Sequence, residues 1–312
     1  MNKQLLSIII PSRDPRYLQK TIDDLLSKAE GEVEIIVVLD GIWHDPMPKS
    51  DPRVIIVHHG TQFNNVGMRD SINRGMAISK GTHVMKIDEH CLMSQGYDLA
   101  LKADCEDEDV IIPRRYRIDP DKWEIIEDGR ASIDYMHIDF PFQRPNDKSC
   151  GLHGGIWKRP GREKILIDET PSMQGSFYFM KKSYWDKLIG PLDSEKYGDF
   201  TQEAQEISCK AWFSGGRVMV NKNVYYAHWH KGTKGKGYGF STAQYDEHGK
   251  SMNKGRIYCR DYWLTTKDYK YDWEWYMKKF PDMPGWGSDW KERIVEARKI
   301  EDELLISQVI NK

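Results

Sequence analysis

Asp88 and His90 stand two residues apart at the end of an apolar run, in the stretch KIDEHC (86–91). Residues i and i+2 of a strand point to the same side, so a carboxylate and an imidazole can converge here on one point. Such an oxygen and nitrogen donor pair suits Mn²⁺ or Mg²⁺ at an open site. Glu89, between them, is expected to point away. A solvated strand end would carry the same residues, so the pair needs a third donor. AHWH (227–230) offers one, because His228 and His230 alternate onto one face. Glu203 and Glu206, at i and i+3 of a helical stretch, share a face, either as site acids or as a solvated flank. After His230, Lys231, Lys234, Lys236, Lys250, Lys254, Arg256 and Arg260 make a basic segment. It can close over phosphate, attract a polyanion, or remain a solvated loop.

Elements that could position these residues follow from periodicity. LLSIIIP (5–11), VEIIVVLDG (33–41), RVIIVHH (53–59) and THVMKID (82–88) are short β-branched runs, the pattern of strands buried on both faces. Residues 14–29 carry Leu18, Ile22, Leu25 and Leu26 at helical spacing, with Asp14 as candidate cap and Pro15 at the first helical position. Residues 65–80 repeat the helical pattern. Strand–helix alternation with short connections predicts a mostly parallel α/β sheet. Right-handed crossovers then put Pro11, Ser12, Arg13, Asp40 and Asp88 at one edge, where open α/β sheets bind ligands. Farther on, 109–118 and 176–180 read as strands, 181–190 and 200–216 as helices, and RVMV and VYYAH as two short strands. Residues 148–161 read as loop, 231–260 as a mobile basic loop, and about 288 onward as a helix.

Composition narrows the classes. Over 312 residues, 39% hydrophobic and 30% charged is an ordinary globular balance, and a formal net charge of −2 announces no bulk nucleic-acid binder. Eleven Trp and sixteen Tyr suit sugar or base stacking, and equally a large aromatic core. Five widely spaced Cys without a CxxC pair argue against a disulfide framework or a structural zinc site. No stretch approaches the ~20 apolar residues of a membrane span, and the N-terminus lacks a signal pattern. The expected setting is the cytoplasm, including a host cytoplasm for a phage-encoded chain.

The order of the motifs carries a resemblance. SIIIPSRD, EIIVVLDG and NVGMRDSINRGMAISKGTHVMKIDEH resemble the nucleotide-binding half of family 2 type glycosyltransferases. PSMQGSFYFMKKSYWDKL, EAQEISCKAW and SGG followed by VYYAHWHK resemble, in order, segments of the catalytic domain of polypeptide N-acetylgalactosaminyltransferases. The likeness runs over roughly residues 5–232. It implies a GT-A fold, a mostly parallel central sheet flanked by helices, with a C-terminal extension. Residues 1–95 would be the nucleotide-sugar-binding half, 96–230 the acceptor and catalytic half, and 231–312 the basic loop and extension.

By position, the resemblance implies Asp88, His90 and His228 as ligands of Mn²⁺ or Mg²⁺ and Asp40 as a residue near the uracil. It places Asn73 and Arg74 near the nucleotide and Glu203 beside the sugar and acceptor. Pro11, Ser12, Arg13 and Lys231 complete the expected nucleotide-sugar contacts. Departures are visible as well. The family's W-G-G-E-N reads G-D-F-T-Q-E-A here, with Ala204 in place of Asn, so sugar identity stays open. The expected reaction moves a hexose or N-acetylhexosamine from a UDP-sugar to a hydroxyl on a hydroxymethylated DNA base, a protein or a glycan. Retention is favoured by resemblance, while inversion would use Glu203 or Asp199 as base. A nucleotidyltransferase or a non-catalytic binding module are the rivals, and the first lacks a phosphate-cradling Gly-rich loop after the first strand. Oligomeric state stays open.

Overall fold

The computed structural model describes residues 4–14, 16–61, 64–142, 151–230 and 242–310. Its N-terminal part alternates β1 (Leu6–Ser12), α1 (Leu18–Lys28), β2 (Val33–Asp40), β3 (Val54–His59), α2 (Met68–Ile78) and β4 (His83–Ile87). Ile8, Ile9, Ile10 and Ile35 to Val38 are wholly buried, as β-branched runs covered on both faces must be. β3 is only partly covered, because it is the sheet's edge strand. Leu18, Ile22 and Leu25 form the buried stripe of α1. Each such side chain contributes about 1.5–3 kcal/mol when fully buried. Asp14 does not cap α1. Its carboxylate pairs with Arg16, and the helix starts at Leu18 without a side-chain cap. Pro15 lies outside the described residues.

The second part contains β5 (Cys91–Met93), α3 (Tyr97–Ala103), β6 (Asp109–Asp119), β7 (Glu124–Ile125), β8 (Met136–Ile138), β9 (Gly154–Ile156) and β10 (Ile167–Glu169). Then come β11 (Phe177–Lys181), α4 (Lys182–Tyr184) running into a π-helical turn (Trp185–Ile189), α5 (Ser194–Tyr197), α6 (Glu203–Ser214) and β12 (Arg217–His228). The main sheet has the order β10-β12-β6-β11-β4-β1-β2-β3, with β5 on β12 and β7 on β6. Strands β4, β1, β2 and β3 are parallel, β11 is antiparallel to both β4 and β6, and β12 runs parallel to β6. The ends of β1, β2, β4 and β12 therefore reach the same edge. The sheet is the mixed, helix-flanked sheet the GT-A resemblance implies.

Two expectations change. RVMV and VYYAH are one strand, β12, with a register shift between Asn221 and Tyr225 absorbing the polar NKN stretch. The expected mobile loop 231–260 is helix from Thr242, as α7 (Thr242–Thr265), and residues 231–241, including Lys231, lie outside the described residues. Gly255, which reads as a breaker in the sequence, is a close approach instead. A Cβ there would sit 1.8 Å from the Tyr197 carbonyl oxygen of α5.

The extension continues through α8 (Trp273–Lys279) and α9 (Trp290–Ile310). It covers the back of α6 with aromatic rings. Phe213 meets Trp263, Trp273 and Tyr276 at ring-centre distances of 5.5, 5.8 and 5.8 Å. Much of the tryptophan is therefore core. Cys91, Cys105, Cys209 and Cys259 are buried free thiols, and no helix among the described residues is long and apolar enough to cross a membrane.

Candidate functional site

A cleft of about 470 Å³ opens at the edge where β1, β2, β4 and β12 end. Asp88 follows β4, His90 precedes β5, and His228 closes β12, whose Cα pairs with that of Cys91. Asp88 and His90 face one another through the turn between β4 and β5 rather than by the expected strand alternation, and the end of β12 delivers His228. His228 Nε2 lies 3.0 Å from His90 Nε2 and 3.2 Å from Asp88 Oδ2, and the three ligand atoms lie within 4.8 Å of one another. Side-chain exposure of Asp88, His90 and His228 is 22%, 7% and 11%.

Lys86, fully buried on β4, orients this group. Its Nζ donates to Asp88 Oδ1 at 2.6 Å and to the Gly175 carbonyl, which leaves Oδ2 for the imidazoles. Burial works against ionisation of Asp88, but Lys86 and the two histidines hold its carboxyl well below the usual range. Burial lowers His228, against the pull of Asp88, and so favours the neutral, ligating imidazole. One carboxylate and two imidazoles, with lone pairs facing one another across hydrogen-bond distance, fit a divalent cation of the Mn²⁺ or Mg²⁺ type.

Glu203 opens α6 on the opposite wall. It is 3% exposed, and neither carboxylate oxygen has a hydrogen-bond partner among the described residues. Lys86 Nζ lies 3.8 Å away, yet burial outweighs it and raises the Glu203 pKa. A buried carboxylate left unsatisfied at a cleft is the kind of exception that calls for a functional reason. Glu206 points the other way, into a buried ion pair with Arg69, while Lys210 Nζ holds its second oxygen at 2.8 Å. Arg69 also donates to the Thr201 carbonyl from Nε at 3.1 Å and Nη2 at 2.8 Å. It thereby ties α2 to the turn that presents Asp199 and Glu203.

The remaining wall is the loop after β1. Glu89 points away from the His90 group, as expected, but it does not point into solvent. Its carboxylate accepts from Ser12 Oγ and from the backbone N–H of Arg13 and Asp14, both at 3.0 Å. Ser12 Oγ also lies 3.2 Å from His44 Nε2. Asp40 accepts from the N–H groups of Val66 at 2.7 Å and Gly67 at 3.1 Å, which sets the entry to α2. Gly67 has φ +103°, and a Cβ there would strike Asp199. Burial lowers the Arg13 guanidinium against the opposing pull of Asp40 and Asp199.

Pro11, Ser12, Arg13, Asp40, Asp88, His90, Asp199, Glu203 and His228 thus line one cleft. Asn73 and Arg74 do not. Asn73 clamps Leu192, donating to its carbonyl and accepting from its N–H, each at 2.8 Å, and Arg74 is exposed. The sequence does not single out Arg69 or Lys86, and it gives Glu89 only as the residue turned away from the pair. Arg69 did leave a signal: with Ile72 and Met76 it occupies the buried face of α2, where a guanidinium demands a buried acid.

Among solved structures, the chain is similar to GalNAc-T7 with UDP, GalNAc and Mn²⁺, at TM-score 0.60 and 16% identity over 96% of this chain and 55% of that one. This chain therefore spans about half the length of that relative. Staphylococcus aureus TarS 1–349 in complex with UDP-GlcNAc matches at TM-score 0.47 and 13% identity, over 76% of this chain and 61% of that one. No curated protein sequence matches significantly. The profile of glycosyl transferase family 2 matches residues 7–169, which runs from β1 through every strand of the parallel half to β10. That match spans more than half of the chain, so the protein belongs to glycosyl transferase family 2, with a fold of the GT-A kind.

Proposed function

We propose that the protein moves a hexose or N-acetylhexosamine from a UDP-sugar to a hydroxyl acceptor with retention at the anomeric carbon. The observation that carries this reading is the convergence of Asp88, His90 and His228 in the cleft that also holds Glu203. The shared fold with GalNAc-T7, solved with UDP, GalNAc and Mn²⁺, supports a nucleotide-sugar donor and a divalent ion. When bound by Asp88, His90 and His228, Mn²⁺ or Mg²⁺ supplies positive charge against that developing on the diphosphate.

The chain's own groups do the rest. The Ser12–Asp14 backbone, tied down by Glu89, and the α2 entry, tied down by Asp40, give the uridine a rigid wall. Arg13 adds a fixed cation. In the transfer, the acceptor oxygen bonds to the anomeric carbon as the bond from that carbon to the phosphate oxygen breaks. The acceptor proton passes to the departing phosphate oxygen, and UDP leaves. Glu203 faces the sugar as a positioning carboxylate. The inverting reading has one observation in its favour: the raised pKa of Glu203 suits it to take the acceptor proton. Lys231 is proposed to reach the diphosphate.

Hydroxymethylated DNA, protein and glycan are the acceptor classes. The buried free thiols suit a reducing cytoplasm. UDP release from a panel of UDP-sugars with Mn²⁺ tests the donor, and NMR of the product anomer separates retention from inversion. No UDP released from any sugar, with or without acceptor, would sink the reading.

A further inference from the structure

A second groove, of about 1350 Å³, opens beside the cleft, and His228 and His230 line both. Its walls are β6, the segment before β8, and the residues that follow β9. On β6, Arg115 stands opposite Tyr226 and Arg117 opposite His228 in the parallel pairing. Among the described residues, no carboxylate or hydrogen-bond acceptor reaches the Arg115 guanidinium. Burial lowers its pKa and only distant groups oppose the cost. Lys158, across the groove, is exposed and equally without a partner.

The groove's carboxylates are differently placed. Asp134 is held by Arg114 through bonds of 2.7 and 2.8 Å, and Asp121 accepts from the Tyr17 hydroxyl at 2.8 Å. Asp119 and Glu163 accept from nearby backbone N–H groups. Cations outnumber carboxylates six to four in the lining, with Arg117 and Arg130 both paired to Asp128. Between them lie aromatic faces. The Arg159 guanidinium sits 4.4 Å from the Trp157 ring centre and 5.1 Å from that of Tyr135. A neutral glycan would leave Arg115 as uncompensated as it is now. A chain of phosphates would pair with it, and a base would stack on the half-buried Trp157 ring, whereas Tyr135 is core.

We infer that this groove binds a single nucleic-acid strand and feeds one of its nucleotides to the His228 end of the cleft. The inference deepens the reading above and rests on it, because the groove is an acceptor site only if the cleft is the donor site. A target base in a duplex would be flipped out to reach it.

The test uses the full chain and a fluorescein-labelled single-stranded DNA oligonucleotide, with binding followed by anisotropy across a salt series. Binding should weaken steeply with salt. Arg115→Gln should lower affinity about tenfold and reduce the salt slope by about 0.7, the share of one phosphate contact. Trp157→Ala should lower affinity about tenfold or more with the slope unchanged, as a lost stacking contact does. Lys158→Gln changes only an exposed side chain, so folding cannot mask it, and it should reduce the slope by the same step as Arg115→Gln. Salt-insensitive binding, or wild-type affinity in all three variants, overturns the inference. So does inorganic polyphosphate competing as well as the oligonucleotide, which would mark a site for any anionic chain. UDP titration with Mn²⁺ on the same wild-type sample separates the two readings. UDP bound without oligonucleotide overturns the groove and leaves the donor site standing. Oligonucleotide bound without UDP supports the groove as a nucleic-acid site and overturns the donor reading.

Discussion

Two carboxylates share one buried ammonium and come out with opposite properties. Lys86 Nζ lies 2.6 Å from Asp88 Oδ1 and 3.8 Å from Glu203 Oε1. Asp88, on the strand-end wall, also has His228 against its second oxygen, and its pKa is driven down despite burial. Glu203, on the helix wall, has no hydrogen bond to either oxygen, and its pKa is driven up. Burial at Asp88 is outweighed by the nearer Lys86 charge, helped by the His228 hydrogen bond, whereas at Glu203 burial and the repulsion of Asp88 outweigh the farther Lys86 and the Tyr178 hydroxyl. The walls also differ in what holds them. Strand ends are fixed by the backbone ladder, whereas α6 is fixed by a buried ion pair and by aromatic rings from the extension. A change on the first wall should alter chemistry, and should spare the fold where it leaves the buried Lys86–Asp88 pair intact. A change behind the second should do the reverse.

The largest effect expected is on the strand-end wall. Asp88→Ala or His228→Ala should reduce transfer by about a thousandfold, the scale of losing a principal electrostatic group. Thermal unfolding should stay near wild type in His228→Ala, whereas Asp88→Ala, which leaves the buried Lys86 ammonium without its 2.6 Å partner, should lose stability as well. Calorimetric titration of UDP with and without Mn²⁺ checks the assignment. Undiminished metal-dependent UDP binding in Asp88→Ala would remove Asp88 from the metal site and break the comparison at its root.

Behind the helix wall, Arg69→Met leaves Glu206 buried beside Lys210 alone. Losing one partner of a buried pair costs about 3–5 kcal/mol. Urea unfolding should record that loss. The double variant Arg69→Met, Glu206→Leu should recover much of it, since the one charge left is the partly exposed Lys210, which still donates to the Ile189 carbonyl. Equal instability in the double variant would show that the Arg69 bonds to the Thr201 carbonyl matter more than the pair.

How the walls differ also explains what could be read from the sequence. Buried strands announce themselves in a few contiguous β-branched residues. The strand ends place KIDEHC and AHWH at one edge, and the turn between β4 and β5 then brings Asp88 and His90 onto His228. Partners across the fold leave no such local trace. The period of α2 gives its buried face but does not say that Arg69 meets Glu206. The spacing of KIDEHC turns Glu89 away from His90 but does not say that the β1 loop waits there to donate three hydrogen bonds. For the same cause the helix over 242–260, read from the sequence as loop, hides its reason in Gly255. In the chain it is a helix breaker, and only the approach of Tyr197 explains why a helix carries it.

A third test sharpens the contrast between the two acids. Glu203→Gln keeps the shape and removes the ionisable group. Because the folded pKa of Glu203 lies above its unfolded value, the native state binds the proton more tightly, and stability falls as pH rises through the folded value. At neutral pH the Gln variant should therefore be more stable than wild type by about 1–2 kcal/mol, the scale of an unpaired buried polar group. Below the unfolded carboxyl range the gain should vanish. Activity should fall at the same time, a trade expected where a site holds an unsatisfied group for function. A stability gain that persists unchanged at low pH would mean that packing, not ionisation, is responsible.

The smallest effects belong to Asn73 and Arg74 of α2, and they separate position in a motif from position in the molecule. Resemblance carries Asn73 and Arg74 to the nucleotide, but their side chains do not line the cleft. Asn73 makes two bonds to Leu192, so Asn73→Ala should cost about 1–2 kcal/mol of stability. Arg74 is exposed and should give within about 0.5 kcal/mol of wild type when changed to Ala. Neither change should move the affinity for UDP, because what α2 contributes to that wall is its entry loop, held by Asp40, and Arg69 behind it. A UDP affinity lowered tenfold in Arg74→Ala, with stability intact, would mean that nucleotide binding draws α2 into the cleft. The rigid wall inferred from Asp40 and Gly67 would then give way to one that closes on its ligand.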